Sequence, residues 1–157
     1  MGRRRSFRGF VSRLYRAPVG LYRLRLGWLL GHRFLLLTHT GRKTGLPRQT
    51  VLEVMRHDST TDTYVVAAGF GKRSNWYRNI LASTNVTIEV GTQRRRARAR
   101  RLDPEEAFQE FSGYVLRHPI AARVVVRFLG FGKDATADQL AADIPVVAFS
   151  VLDCDRQ

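Results

Sequence analysis

The sequence RFLLLTHTGRKTGLPRQTVLEV, residues 33–54, holds two short apolar segments separated by a basic loop with two glycines. Short apolar runs bounded by glycine and proline are typical of strands rather than helices. Because the connection between them is short, the two segments are expected to pair antiparallel as a hairpin. This hairpin is the starting point for assigning the rest of the chain.

The strand pattern continues after this hairpin and returns near the carboxyl terminus. The further predicted strands are YVVAAGFG (64–71), NVTIEV (85–90), RRRARARRL (94–102) and IPVVAFSVL (144–152), and a short helix capped by Ser74 or Asn75 lies at 74–83. About six strands joined mostly as hairpins, with few helices, favour a small β-barrel with covering helices, which is a mainly β fold with some α.

Two further patterns refine this barrel. In RRRARARRL the residues Ala97 and Ala99 alternate with arginines, so the alanines are expected to face the core and the arginines the solvent. The stretch DPEE (103–106) is a strong helix start, with a capping aspartate and a proline at the first helical position. We expect that helix to reach about residue 117 and helical structure to continue over 119–129.

Composition indicates one domain with an anionic partner. The 157 residues are 44% hydrophobic, enough for a single domain over 1–157, and the net charge is +14. Cys154 is the only cysteine, which excludes an internal disulfide, and the four histidines are not at metal-ligand spacing. We therefore expect no metal and a cytoplasmic location.

Residues 1–30 form a basic amphipathic segment that is predicted to be helical. Apolar residues recur there at helical spacing, and no acidic residue precedes Glu53. Such a segment either packs on the domain or makes peripheral contact with the inner face of an anionic plasma membrane. Arginines interrupt the apolar stretch over 21–37, so no membrane span is expected.

Two glycine-rich basic loops are candidates for an anion site. The first carries Arg42, Lys43 and Arg48, without the spacing of a nucleotide triphosphate loop. The second, GFGK (69–72), leads from a strand into a helix amino terminus, where unpaired amides attract negative charge. If the first three strands form a meander, both loops lie at the same end. With Trp76 and Tyr77 they would form a cleft for a flat anionic ligand, although a basic hairpin turn alone is the simpler interpretation of the first loop.

The segments RFLLLTHTGRKTGLPRQTVLEV, YVVAAGFG and NWYRNILASTNVTIEVG resemble the deazaflavin (coenzyme F420)-dependent nitroreductase and quinone reductase family. The resemblance covers about residues 32–90 closely and extends more loosely through the LDPEEAF helix. It implies a split β-barrel like that of proteins that bind flavin mononucleotide (FMN). It also implies hydride transfer from reduced F420, a deazaflavin with a phosphate and an oligoglutamate tail, to a quinone- or nitro-type acceptor.

The resemblance also implies which residues form the site. Arg42, Lys43 and Arg48 would bind the phosphate and acidic tail, and Ala68, Gly69 and Gly71 would let the ring approach the backbone. The remaining cofactor-binding residues are Thr44, Gly45, Phe70, Lys72, Asn75, Trp76, Tyr77 and Asn79. Tyr114 is the candidate proton donor or acceptor-stacking residue, with a role as a core aromatic as the alternative.

Two other functions share parts of this pattern. An FMN-dependent split-barrel oxidoreductase would differ mainly in its cofactor. A basic small-barrel nucleic-acid module would explain the charge, but single-strand binders expose aromatic side chains on their basic strands, and RRRARARRL has none. Its arginines are expected to form a solvated face or to extend the binding surface for the acidic tail. We therefore expect a small-molecule acceptor and no nucleic acid, and the oligomeric state stays open.

Overall fold

A closed barrel of antiparallel strands forms the body of the chain in the computed structural model, which describes residues 31–120 and 136–152. The strands are β1 (Phe34–Thr40), β2 (Pro47–Asp58), β3 (Thr63–Ala67), β4 (Asn85–Val90), β5 (Gln93–Arg101) and β6 (Val146–Val151). Their order around the barrel is β1-β2-β3-β6-β5-β4, and β4 pairs with β1 to close it. The predicted barrel and its antiparallel β1-β2-β3 meander are confirmed.

The barrel interior is filled by one face of each strand. Leu35 and Leu37 from β1, Ile88 from β4 and Phe149 from β6 are almost fully buried in this cluster. Strand β5 contributes only Ala97 and Ala99 among the buried residues, and the arginines between and beside them face outward. The alternation predicted from the sequence is therefore confirmed, and it makes β5 apolar on one side and cationic on the other.

Helix α1 (Asn75–Ala82) packs against the interior cluster through one face. The buried residues there are Trp76, Tyr77 and Ile80. Ile80 is four residues from Trp76 and three from Tyr77, which is the spacing of one helical face. A 3₁₀ turn over Gly71–Arg73 leads from β3 into this helix. The helix thereby lies beside the loop between β1 and β2.

Helices α2 (Pro104–Arg117) and α3 (Ala137–Asp143) pack on the outside of β3 and β6. Each begins with a capping box, formed by Asp103 with Glu106 and by Thr136 with Gln139. Phe111 and other apolar side chains of the two helices form a second cluster with residues of the strands. Strands β3 and β6 are therefore buried on both faces, which explains their continuous apolar sequences.

Several predicted features lie outside the described residues. These are the amphipathic segment 1–30, most of the helical continuation over 119–129, and Cys154. Within residues 31–120 and 136–152, no helix is long and apolar enough to cross a membrane.

The loop between β1 and β2 is a tight, hydrogen-bonded turn. The Gly41 amide donates to the Leu46 carbonyl at 2.8 Å, and the Gly45 amide donates to the Gly41 carbonyl at 2.7 Å. Gly45 adopts φ +68°, which side chains other than glycine tolerate poorly. The second loop glycine therefore fixes the shape in which the basic residues are presented.

We predict that Gly45→Ala lowers the free energy of unfolding by about 1 kcal/mol, because alanine is strained at this φ. Urea denaturation would measure the change. Gly113→Ala in helix α2 is a matched control with the opposite expected sign, because its added Cβ meets only the movable end of the Arg117 side chain. A Gly45→Ala protein as stable as the wild type would show that this turn is not set by glycine.

Candidate functional site

Hydrogen bonds of Arg42 join the β1–β2 loop to helix α1, which follows the second of the two basic loops predicted to converge. Its backbone amide donates to Asn79 Oδ1 at 3.2 Å, and its Nη1 donates to the same oxygen at 2.7 Å. Its guanidinium also donates to Asn75 Oδ1, at 3.3 Å from Nη2. Since both asparagines belong to α1, these bonds hold the β1–β2 loop against the first turns of that helix.

A pocket of about 1270 Å³ opens between this loop, α1 and the adjoining strands. This exceeds the roughly 300–1,000 Å³ of ordinary small-molecule sites. Its lining residues are Thr38, His39, Gly41, Arg42, Lys43, Thr44, Pro47, Arg48, Gln49, Thr50, Phe70, Ser74, Asn75, Trp76, Asn79 and Arg94. The pocket is therefore large enough for an extended ligand rather than a single small anion.

The lining of this pocket is strongly cationic. It contains Arg42, Lys43, Arg48 and Arg94, and no aspartate or glutamate. Among the described residues, only Arg94 of these four has a carboxylate partner, Glu89 at 3.7 Å. Uncompensated positive charge in a concave site raises the local concentration of anions, so the pocket is suited to a multiply charged anionic ligand.

Ser74 supplies a buried polar atom without a partner in this pocket. The residue is 8% exposed, and its Oγ makes no hydrogen bond among the described residues. It occupies the cap position of α1, yet its side chain does not cap the helix. Buried hydroxyls are normally hydrogen-bonded, so this one is an unsatisfied polar group beside the pocket.

Trp76 gives the pocket a fixed aromatic wall. Its ring packs edge-on to Tyr77, with centroids 6.1 Å apart, and is tilted against Phe149 at 6.4 Å. These neighbours belong to the barrel interior, so the indole is held from behind while it lines the pocket. A planar group can pack against such a surface without ordering a mobile side chain.

His39 lies at the inner end of the pocket with 5% exposure. Asn79 Nδ2 donates to its Nδ1 at 3.1 Å. Burial lowers the pKa of His39, and the charge of Arg48 lowers it further, against an opposing contribution from the Thr40 backbone. The imidazole is therefore a neutral hydrogen-bond acceptor near pH 7.

The structure brings together eight of the residues that the resemblance implied for the cofactor. Those that line the pocket are Arg42, Lys43, Thr44, Arg48, Phe70, Asn75, Trp76 and Asn79. Those outside the lining are Gly45, Ala68, Gly69, Gly71, Lys72 and Tyr77. Tyr77 is turned into the barrel interior, and Ala68 is fully buried with its amide bonded to the Pro145 carbonyl at 2.8 Å.

Sequence reasoning missed other lining residues. His39 carried a usable signal, because it continues the inward-facing positions of Leu35 and Leu37 and is a polar residue on an apolar face. Arg94 was predicted to lie on the outer face of β5, either solvated or extending the binding surface for the acidic tail. It reaches the pocket because β4 pairs with both β5 and β1. The pairing of β4 with β1 is the one that closes the barrel.

Tyr114 lies apart from this pocket. Its hydroxyl donates to Glu53 Oε1 at 3.2 Å, and its ring belongs to the cluster between α2 and the barrel. Burial, together with the charge and hydrogen bond of Glu53, raises the pKa of Tyr114 to about 12. Its predicted role as a proton donor stays a prediction, and these contacts support the alternative of a packed core aromatic.

Within residues 31–120 and 136–152, no group of three or more histidine, cysteine, aspartate or glutamate side chains is arranged to hold a metal ion. The cations and the aromatic wall of the described pocket are suited to binding anions and planar groups.

Comparisons with known proteins identify the family of the chain. Residues 11–125 match the profile of the F420H(2)-dependent quinone reductase family. An F420H(2)-dependent quinone reductase of Mycobacterium tuberculosis is 33% identical over 113 residues, covering 61% of this chain and 74% of that protein.

Comparison with solved structures identifies the fold. An F420-H2 dependent reductase superposes with a TM-score of 0.54 at 25% identity, over 76% of this chain and 96% of that one. An FMN-binding protein of Nostoc punctiforme related to pyridoxamine 5'-phosphate oxidase has a TM-score of 0.52 at 12% identity, over 76% and 71% of the two chains. The predicted split-barrel class is confirmed. The chain belongs to the F420H(2)-dependent quinone reductase family and is an F420-dependent oxidoreductase.

Proposed function

We propose that the pocket beside the β1–β2 loop binds reduced coenzyme F420 and that the chain uses it to reduce a quinone. The observation that carries this proposal is a pocket with four cations, no carboxylate and a buried hydroxyl without a partner. The names of the family and of its mycobacterial relative support the choice of acceptor. A nitro compound is the alternative acceptor.

The residues present fit the anionic part of F420. Lys43 on the loop and Arg48 at the start of β2 are exposed and have no carboxylate partner among the described residues, so both are available to phosphate and glutamate oxygens. Arg94 continues the positive charge toward Arg96 and Arg98 on the outer face of β5. This arrangement supports a path for the oligoglutamate tail from the loop along β5.

The residues also fit the planar part. The Trp76 indole offers a fixed aromatic wall, and the Ser74 hydroxyl offers a hydrogen bond that the protein leaves unmade. A ring placed between them would satisfy the buried hydroxyl and cover apolar surface at once. This requirement favours a cofactor that joins a flat ring to an anionic chain.

When bound, reduced F420 supplies a hydride, and reduction of a quinone to a quinol also consumes a proton. The cationic loop orients the cofactor, and the Trp76 side chain leaves less room for water beside it. Water or a nearby hydroxyl provides the proton. The Tyr114 hydroxyl is the predicted side-chain candidate, although it already donates to Glu53.

We predict that Lys43→Ala and Arg48→Ala each weaken F420 binding about tenfold, because each removes a charge-assisted hydrogen bond to the cofactor. Arg78→Ala is the matched control, since Arg78 is exposed on α1 outside the pocket lining. Fluorescence titration would give the three dissociation constants. Equal weakening in all three variants would mean that only net charge matters, and no weakening in any would remove the loop from the site.

Tyr114→Phe separates the two roles of that tyrosine. Because its hydroxyl is bonded to Glu53 and lies outside the pocket lining, we expect kcat for quinone reduction to stay within about threefold of wild type. We also expect the free energy of unfolding to fall by about 1 kcal/mol. A kcat reduced about a hundredfold or more, with an unchanged dissociation constant for F420, would identify Tyr114 as the proton donor.

The acceptor is tested by mixing the reduced holoenzyme with a soluble quinone or with a nitroaromatic compound. Faster oxidation by the quinone is expected. Oxidation by the nitroaromatic compound alone would overturn the proposed acceptor and leave the proposed cofactor intact.

A further inference from the structure

We propose that His39 is a positioning residue of the cofactor site. As a neutral hydrogen-bond acceptor it fixes the amide of Asn79, and that amide holds Arg42 in the anion-binding loop. The proposal rests on the proposed function for the identity of the ligand, because Arg42 lines the pocket that is proposed there to bind F420.

The hydrogen bonds of Arg42 set the orientation of the Asn79 amide. Asn79 Oδ1 receives the Arg42 backbone amide at 3.2 Å and Nη1 at 2.7 Å. Both of these are donors, so only the amide oxygen can face them. The amide nitrogen is then directed to His39 Nδ1, 3.1 Å away.

This geometry defines the protonation state of His39. Asn79 Nδ2 carries only hydrogens to donate, so Nδ1 of the imidazole must offer a lone pair. The proton of the neutral ring is therefore on Nε2. A positively charged ring would bear a hydrogen on Nδ1 as well and would set two donors against each other.

The charged groups around His39 favour the neutral ring. Arg48 is its cross-strand partner on β2, and Arg42 lies on the other side of the Asn79 amide. Lys43 and Arg94 complete the cationic lining. Of the neighbouring elements, β4 offers Glu89, which pairs with Arg94 and lies outside the lining, and the only charged residue of α1 is the exposed Arg78.

Protonation of His39 would therefore break the hydrogen bonds that link its ring to Arg42 through Asn79. Either the Asn79 amide separates from His39, or it turns over and presents its nitrogen to the donors of Arg42. In the second case Arg42 loses its acceptor, and in the first the amide that accepts from Arg42 loses the bond that orients it. Because burial holds the pKa of His39 below 6.5, the bonds are intact at neutral pH and are lost as the pH falls through this lowered pKa.

Two substitutions separate a positioning role from a simple packing role. His39→Asn places a carbonyl oxygen where Nδ1 stood and cannot titrate. His39→Leu instead fills the position with an apolar side chain that has no hydrogen-bond acceptor. We would measure F420 dissociation constants for the wild type and both variants at about pH 7.5 and pH 5.5. We would also record ¹⁵N NMR spectra of the imidazole in the free protein.

We expect His39→Leu to bind F420 about tenfold more weakly at about pH 7.5 and His39→Asn to stay within about threefold of the wild type. Between about pH 7.5 and pH 5.5 the wild type should lose more affinity for F420 than His39→Asn does. The titration of the cofactor itself affects both proteins equally, so the comparison removes its contribution. The NMR spectrum of the wild type should show Nδ1 without a proton at neutral pH.

The proposal would be overturned if His39→Leu bound F420 as tightly as the wild type does, or if Nδ1 carried a proton at neutral pH. If His39→Leu does not fold, the pH profile of His39→Asn and the NMR spectrum decide. If the wild type itself fails to bind F420, the proposed function is wrong. The positioning claim is then decided in the free protein by the protonation state of Nδ1 and by whether His39→Leu frees the Arg42 guanidinium to exchange faster with solvent.

Discussion

The buried amide of Asn79 joins the three elements that form the pocket. It accepts two hydrogen bonds from Arg42 in the β1–β2 loop, donates one to His39 on β1, and is carried by α1. A buried amide that makes all of these bonds contributes to rigidity, and one that loses them costs about 1–3 kcal/mol. The cationic loop therefore has its position because a helix packed on the barrel holds it there.

Charge is distributed unequally over the surface of this strongly basic chain. Arg95 pairs with Asp62, and Arg100 pairs with Glu106 through two contacts of 2.9 Å. In contrast, Lys43 and Arg48 at the pocket have no carboxylate partner among residues 31–120 and 136–152. Positive charge is thus neutralised at Arg95 and Arg100 and left open at Lys43 and Arg48, where it attracts anions to the pocket.

Most of the fold could be predicted from local sequence patterns, because each pattern depends on residues that are close together in the sequence. The alternation of Ala97 and Ala99 with arginine identified the inner face of β5, and the capping box at Asp103 identified the start of α2. The basic loop residues of the site were found in the same way, from glycine and charge.

The rest of the site depends on contacts between distant residues. The direction of the Asn79 amide follows from Arg42 and His39, which lie 37 and 40 positions away in the sequence. Arg94 reaches the pocket only because the barrel closes through β4. Ser74 was predicted as a helix cap, and its unpaired hydroxyl is visible only once its surroundings are known.

The most direct test of the account is an equilibrium titration of the wild-type chain with F420, FMN and a single-stranded oligonucleotide, each at low and high salt. The cationic pocket predicts micromolar or tighter binding of F420 that weakens as salt rises, and at least about tenfold weaker binding of FMN, which lacks the acidic tail. Tight binding of FMN or of the oligonucleotide, with no binding of F420, would contradict it.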